Sequence, residues 1–277
     1  MTPPTSPHRP SIWWQWTVPA LCLLAAALIW ALDANQALFL WLNHLGLNHA
    51  LNDNAIHDRF WASTTLLGDT LAAFSLLAVF LRKRFDIVWM LFLSALFTTL
   101  WVHGLKNGLE ILRPLAVLGP DNVHVIGVAL HKHSFPSGHT ATVFTLAAVI
   151  CLRGVHPALA ITALLLATLA GVSRAVVGAH WPLDILAGAL GGWLSALIGM
   201  RLYARWPVPT RPTAQVVITL ILLACALSLL LIHDSGYPLA RPLQLTLAGI
   251  SLVSIFWFGW EIFLVARQKR RALNRPG

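Results

Sequence analysis

Residues 158–203 read ALAITALLLATLAGV, then SRAVVGAHWPLD, then ILAGALGGWLSALIGMRLY. A polar island, Ser173 to Asp184, stands between two apolar runs. A helix crosses a hydrocarbon core of about 30 Å with nearly 20 apolar residues; the second run reaches about that length and the first falls short of it. The same pattern recurs along the chain. Apolar segments fall at about 14–32, 60–81, 87–105, 137–152, 158–172, 182–203, 213–232 and 243–265. In lipid every backbone polar group must be satisfied within the segment, so runs of this kind form helices. The expected fold is therefore all-α, a polytopic transmembrane helical bundle. Six of these runs fall within residues 1–205, and 206–277 would add a C-terminal transmembrane hairpin with a basic tail. The runs starting at 137 and 158 are short, so their outer ends should sit in the interface or line a cavity.

Composition agrees. Hydrophobic residues make up 57% and charged residues 10%, where soluble domains carry roughly 25% charged residues. No large aqueous domain fits. The net charge of +9 is scattered over short loops and the C-terminus, with no basic face for nucleic acid. Cys22, Cys151 and Cys225 each lie in an apolar stretch without metal-ligand spacing and read as small buried apolar residues. Arg9, the run to Leu32 and Asp33-Ala34 loosely resemble a signal peptide, but the segment reads better as a retained first span.

The distribution of basic residues sets an expected orientation. With the N-terminus cytoplasmic, inside segments carry thirteen: Arg9, Arg82, Lys83, Arg84, Arg153, Arg201, Arg205, Arg211, Arg267, Lys269, Arg270, Arg271 and Arg275. Outside segments carry six: Arg59, Lys106, Arg113, Lys132, Arg174 and Arg241. This bias places both termini in the cytoplasm. Lys106, Arg113 and Arg174, at the outer ends of spans, then need a reason other than topology. The longest polar loop, about 106–136, lies outside, and loops of that length are usually functional or disordered. The segment 33–59, with Asn35, Asn43, Asn48 and Asn52 among apolar residues, suits an interfacial helix.

Three polar clusters face that outer side. In the first, Lys106 and Arg113-Pro114 would stack two turns apart on one helical face, with Pro114 ending the helix. In the second, Pro136-Ser137-Gly138-His139, Ser137 is a good N-cap and free N–H groups at the helix start suit an anion. In the third, His180 and Asp184 are four apart, so the carboxylate can orient the imidazole as a nucleophile or base, while Arg174 offers a bidentate donor. Three cations, two histidines and one aspartate suit a phosphoryl group: cations hold its oxygens, one histidine attacks and the other protonates the leaving oxygen. The His180–Asp184 spacing favours His180 as the attacker. No carboxylate cluster suited to Mg²⁺ accompanies the set, so neither metal nor cofactor is expected.

These spacings, Lys-x6-Arg-Pro, Pro-Ser-Gly-His and Ser-Arg-x5-His-x3-Asp over residues 106–184, resemble the tripartite signature of the type 2 phosphatidic acid phosphatase superfamily. That superfamily includes vanadium haloperoxidases and bacterial acid phosphatases. The resemblance implies that His180 forms a phosphohistidine, oriented by Asp184, and that His139 is the general acid. It implies too that Lys106, Arg113, Arg174, Ser137 and the Gly138 N–H bind phosphate. The reading that follows is an inner-membrane lipid phosphatase with a periplasmic or extracellular site. Its partners are a lipid phosphate and membrane lipids, with no nucleic acid and no obligate protein partner. Undecaprenyl pyrophosphate ranks first as substrate, followed by phosphatidylglycerol phosphate, phosphatidate and lipid A phosphate. A phosphotransferase on the same phosphohistidine and a non-catalytic lipid-phosphate binder or transporter are the alternatives.

Other residues take plainer readings. Glu110, one turn from Lys106, would pair with it. His131 and His133, with His124 nearby, read as a solvated loop or headgroup contact rather than a metal site. Asp69 is costly in a span unless satisfied, by substrate or by structural hydrogen bonds. Gly188 and Gly192 suggest close helix packing. Trp13, Trp14, Trp16, Trp61 and Trp206 suggest interface anchors.

Overall fold

The computed structural model describes residues 12–45, 47, 54–207 and 212–273, and every regular element among them is helical. The Pro-rich first ten residues, Arg9, Asn48, Asn52, Arg211 and Arg275 lie outside the described residues, as do the side chains of Trp13, Trp14, Lys269, Arg270 and Arg271. In chain order the helices are α1 (Ile12–Ala31), α2 (Asn35–Asn43), α3 (Ala55–Leu66), α4 (Thr70–Leu76, continued by a 3₁₀ turn Leu77–Phe80) and α5 (Phe85–Leu109). There follow α6 (Pro114–Leu118), α7 (Gly138–Leu152), α8 (Pro157–Val176), α9 (Pro182–Arg205), α10 (Pro212–Leu231) and, after a 3₁₀ turn Pro238–Ala240, α11 (Arg241–Leu273).

Five segments are long and apolar enough to cross a membrane, and two bent pairs bring this to seven. The all-helical, multi-span bundle expected from the apolar runs is present. One expected detail differs. The run at 60–81 is two helices, α3 and α4, bent by 66°. At the break a side chain on Gly68 would strike the His139 backbone carbonyl, and Asp69 caps α4 by accepting from the Ala72 N–H at 3.0 Å. The span yields there because α7 begins against it. Asp69 also meets His233 Nε2 at 2.9 Å, so structural hydrogen bonds satisfy it. In segment 33–59, α2 is a helix turned 106° away from α1.

Helix α9 sits at the centre: 56% of its apolar window is buried, against 22% for α10 and for α11. Gly188 and Gly192 bring it onto α7, because a Cβ at either would meet the Ser137 or Ala141 carbonyl. Close packing, as expected, explains both glycines. Thr98 of α5 pairs with Thr145 of α7 at 2.8 Å, and Thr145 reaches the Gly192 carbonyl at 3.2 Å. Trp193 is fully buried and donates to the Gln15 carbonyl of α1 at 2.9 Å. The α10–α11 hairpin, though outermost, feeds Leu222, Ala226 and Phe258 into the same core. Trp16 and Trp206 are exposed, as anchors would be. Trp61 is not; it is buried in a second apolar cluster with Val176 and Tyr237.

At the end of the bundle opposite His139, Arg84 and Arg153 both engage Asp86, at 3.0 and 2.7 Å. That shared carboxylate ties the start of α5 to the α7–α8 turn.

Candidate active site

The bundle's alternation brings the C-terminal ends of α5 and α8 beside the N-terminal ends of α7 and α9. Those four ends carry Lys106, Arg174, Ser137-Gly138-His139 and Asp184. Chain direction alone therefore gathers the three clusters at one end. Ser137 caps α7: its Oγ accepts from the Thr140 N–H at 3.4 Å and the Thr140 hydroxyl at 2.9 Å. Asp184, at the third position of α9, accepts the Trp181 N–H at 2.9 Å. Both residues stabilise a helix start and stand in the site. Their backbones also meet, Ser137 N–H donating to the Asp184 carbonyl at 3.0 Å.

Lys106 and Arg113 reach the site by separate routes, not by stacking on one helix. Helix α5 ends at Leu109, Glu110 takes a left-handed conformation (φ 41°), and Pro114 begins α6 rather than ending a helix. Arg113 is held by two loops: its Nε donates to the Lys132 carbonyl at 2.8 Å and Nη2 to the His133 carbonyl at 3.3 Å, between α6 and α7, and Nη1 to the Ala179 carbonyl of the α8–α9 turn at 2.9 Å. The His131-Lys132-His133 segment thus serves as a backbone cradle. Glu110 is exposed and makes no ion pair with Lys106.

The hydrogen bonds around His180 define its tautomer. Arg113 Nη1 lies 3.3 Å from His180 Nε2, and a guanidinium can only donate. Nε2 is therefore the bare acceptor, and Nδ1 carries the hydrogen toward Asp184 Oδ2 at 3.3 Å. Asp184 Oδ2 is itself held by the Ser134 hydroxyl at 2.6 Å. Burial, and then the neighbouring cations Arg113, Arg174 and Lys106, push the His180 imidazole well below its usual range. The result is a neutral imidazole with its lone pair presented beside a guanidinium.

Arg174 is 2% exposed. Its Nη1 donates to Thr65 Oγ1 at 2.6 Å and to the Tyr237 hydroxyl at 2.7 Å, while its buried Nε has no acceptor. An unpaired buried guanidinium N–H is costly unless an anion meets it. Lys106, Arg113 and Arg174 face one carboxylate, an excess of two formal positive charges in a largely buried place. A phosphate dianion answers that excess.

With this geometry in view, comparison with known proteins gives a consistent result. The PAP2 superfamily profile matches residues 70–207. A putative undecaprenyl-diphosphatase of Escherichia coli is 30% identical over 159 residues, covering 47% of this chain and 77% of that protein. The chain belongs to the PAP2 superfamily. A lipid A 1-phosphatase of Rhizobium etli is 34% identical over 134 residues, 45% of this chain and 56% of the relative, so the chain spans little more than half of that relative's length. The crystal structure of Aquifex aeolicus LpxE is similar at a TM-score of 0.53 and 34% identity, over 60% of this chain and 94% of that one.

For a PAP2 chain, the pattern-matched residues His139, His180, Asp184, Lys106, Arg113, Ser137, Gly138 and Arg174 all lie at one end of the bundle. Reading by pattern misses four others. Ser134 secures Asp184, and Thr65 and Tyr237 secure Arg174. Asn43, fully buried, donates to the His124 and Val176 carbonyls at 2.8 and 2.9 Å and accepts the His124 N–H at 2.8 Å. It thereby pins the outer loop to the end of α8. The polar residues of segment 33–59 hinted at such a role; single hydroxyls outside any recognisable motif carry no signal. A cavity of about 200 Å³ runs from His139 and Lys106 between α4, α5 and α7, past Phe74, Leu91 and Ala95.

Proposed function

We propose that this PAP2 chain is a membrane lipid phosphatase that hydrolyses a lipid phosphate or diphosphate through a phosphohistidine on His180. One observation carries the reading: the Arg113–His180–Asp184 chain, which leaves Nε2 unprotonated and turned toward the cationic end of the site. In the first step His180 Nε2 bonds to phosphorus as the phosphorus–oxygen bond to the leaving group breaks, and His139 gives that oxygen a proton. Lys106, Arg113 and Arg174, with Ser137 and the Gly138 N–H, hold the non-bridging oxygens as charge develops. In the second step water adds to phosphorus, His139 takes its proton, and the phosphorus–nitrogen bond breaks to restore His180.

The cavity beyond His139 is polar at the headgroup end and apolar beyond it, which fits an amphiphile. The relatives' names point to two substrates, undecaprenyl diphosphate and the 1-phosphate of lipid A, and these head the panel. The positive-inside count supports a site on the outer face of the membrane. The test is phosphate release by the purified protein in micelles, across those two lipids, phosphatidate and phosphatidylglycerol phosphate. Wild-type protein should release phosphate and give an acid-labile labelled enzyme on rapid quenching. His180→Ala should lose both, with a rate loss on the order of 10³ or more. Turnover by His180→Ala at the wild-type rate would end the proposal. Transfer of label to an added acceptor lipid instead of water would convert it to a phosphotransferase.

A further inference from the structure

A second group of ligating side chains stands apart from the phosphate site. His57 and Asp58 lie in the first turn of α3, and His124 lies on the loop between α6 and α7. Asp58 Oδ1 is 3.0 Å from His57 Nδ1 and 2.9 Å from His124 Nε2. The three ligand atoms all fall within 4.8 Å of one another. The other nitrogen of His57, Nε2, is 2.8 Å from the Leu45 carbonyl. A carbonyl only accepts, so Nε2 carries the hydrogen. In a neutral imidazole Nδ1 is then a bare lone pair, and it points at a carboxylate oxygen. Two acceptors facing each other at that distance repel unless a positive species lies between them.

We propose that this cluster is a divalent-cation site of the zinc class, with His57 Nδ1, His124 Nε2 and the Asp58 carboxylate as ligands and water completing the shell. Two imidazoles and one carboxylate suit Zn²⁺ rather than Mg²⁺ or Ca²⁺, which prefer oxygen. Tetrahedral zinc with bonds of about 2.0–2.2 Å separates its ligand atoms by about 3.3–3.5 Å, so each histidine–carboxylate distance needs to open by only a few tenths of an ångström. The Leu45 carbonyl already does what an outer partner does for a metal-bound histidine: it holds the ring and fixes the tautomer. The side chains of His57, Asp58 and His124 are 12%, 23% and 27% exposed, so an ion has a path in from solvent.

The ion would act as a clip between α3 and the outer loop. Next to His124 in the chain, the Ile126 N–H donates to the Val177 carbonyl at 3.3 Å. The clip therefore braces the turn that runs from Arg174 to His180, without touching the reacting phosphate. His124, near His131 and His133 in the chain, is carried by the fold to α3, while the His131 and His133 backbone carbonyls cradle Arg113.

The experiment uses the full chain purified through a tag without histidine, stripped with a chelator, then loaded with Zn²⁺ or Co²⁺ and freed of excess. About one Zn²⁺ per chain should remain, Tm should rise by several degrees, and Co²⁺ should give the visible absorption of a low-symmetry four-coordinate site. His57→Ala and His124→Ala should lose the metal and the Tm rise, while His131→Ala keeps both. Absence of retained Zn²⁺ and of the Co²⁺ bands in the wild type would overturn the proposal and make the cluster an imidazolium–carboxylate pair. So would equal uptake by the wild type and by both histidine variants. The wild-type measurement decides even if a variant fails to fold.

Discussion

His180 holds an unusual position for a histidine: it is buried among three cations with only Asp184 to balance them. Burial and positive neighbours both disfavour the imidazolium, so the pKa lies well below 6.5. The neutral form therefore persists as pH falls through the usual histidine range. The free-enzyme rate kcat/KM should hold its level there and fall only when His180 finally takes a proton. Arg113 is the first of the cations acting on it. In Arg113→Gln the acid limb should move to higher pH than in the wild type with the same substrate. The plateau should fall by about 10²–10³, the usual cost of losing one donor to a developing oxyanion. A pH–rate profile of both proteins checks the direction; a limb that stays in place would separate Arg113 from the ionisation of His180. The pattern-defined residues were legible because their roles depend on spacings of a few residues. Ser134 was not, because its partner Asp184 is 50 residues away.

At the scale of elements, helix ends do most of the positioning. Ser137 caps α7 and Asp184 closes the first turn of α9, so residues that start helices also stand in the candidate site. The approach of α7 to α9 rests on glycine. A Cβ at Gly192 would meet the Ala141 carbonyl, whereas one at Gly104 on α5 meets nothing within 4 Å. Two matched substitutions should then have opposite signs. Gly192→Ala should destabilise by about 1–3 kcal/mol through overpacking and lower activity, since α7 carries His139. Gly104→Ala should be neutral or stabilise by up to about 1 kcal/mol through lost unfolded-state freedom. Thermal unfolding in one detergent compares them directly. The helix pattern of α7–α9 was readable from apolar run length and caps. The break in α3–α4 and the end of α5 before Arg113 were not, because a continuous apolar run does not mark where another helix will press against it.

Over the whole molecule, the C-terminal hairpin is more than a lateral wall. It lies beyond residues 70–207, where the PAP2 profile matches. Even so, the turn joining α10 to α11 sends Tyr237 to Arg174 at 2.7 Å and His233 to Asp69 at 2.9 Å. A hydrogen bond to a charged group contributes about 1.5–3 kcal/mol. Tyr237→Phe keeps the ring in its apolar cluster and removes only the hydroxyl. It should lower kcat/KM at least about tenfold, mainly through KM, and lower Tm by a few degrees as the buried guanidinium loses a partner. Unchanged kinetics would show that Thr65 alone suffices to hold Arg174.

From its sequence, this chain's helical, multi-span character and the pattern-matched residues of its candidate site could be read in advance. Apolar run length determines the first, and caps, charges and His180–Asp184 spacing reveal the second; both are properties of neighbouring residues. The tertiary structure decided which loop cradles Arg113, which hydroxyls fix Asp184 and Arg174, and which aspartate His124 meets. Those partners are 50 to 109 residues apart, apart from the Arg113 loop at 19 and 20. Packing in three dimensions selects them, and no local pattern records that selection.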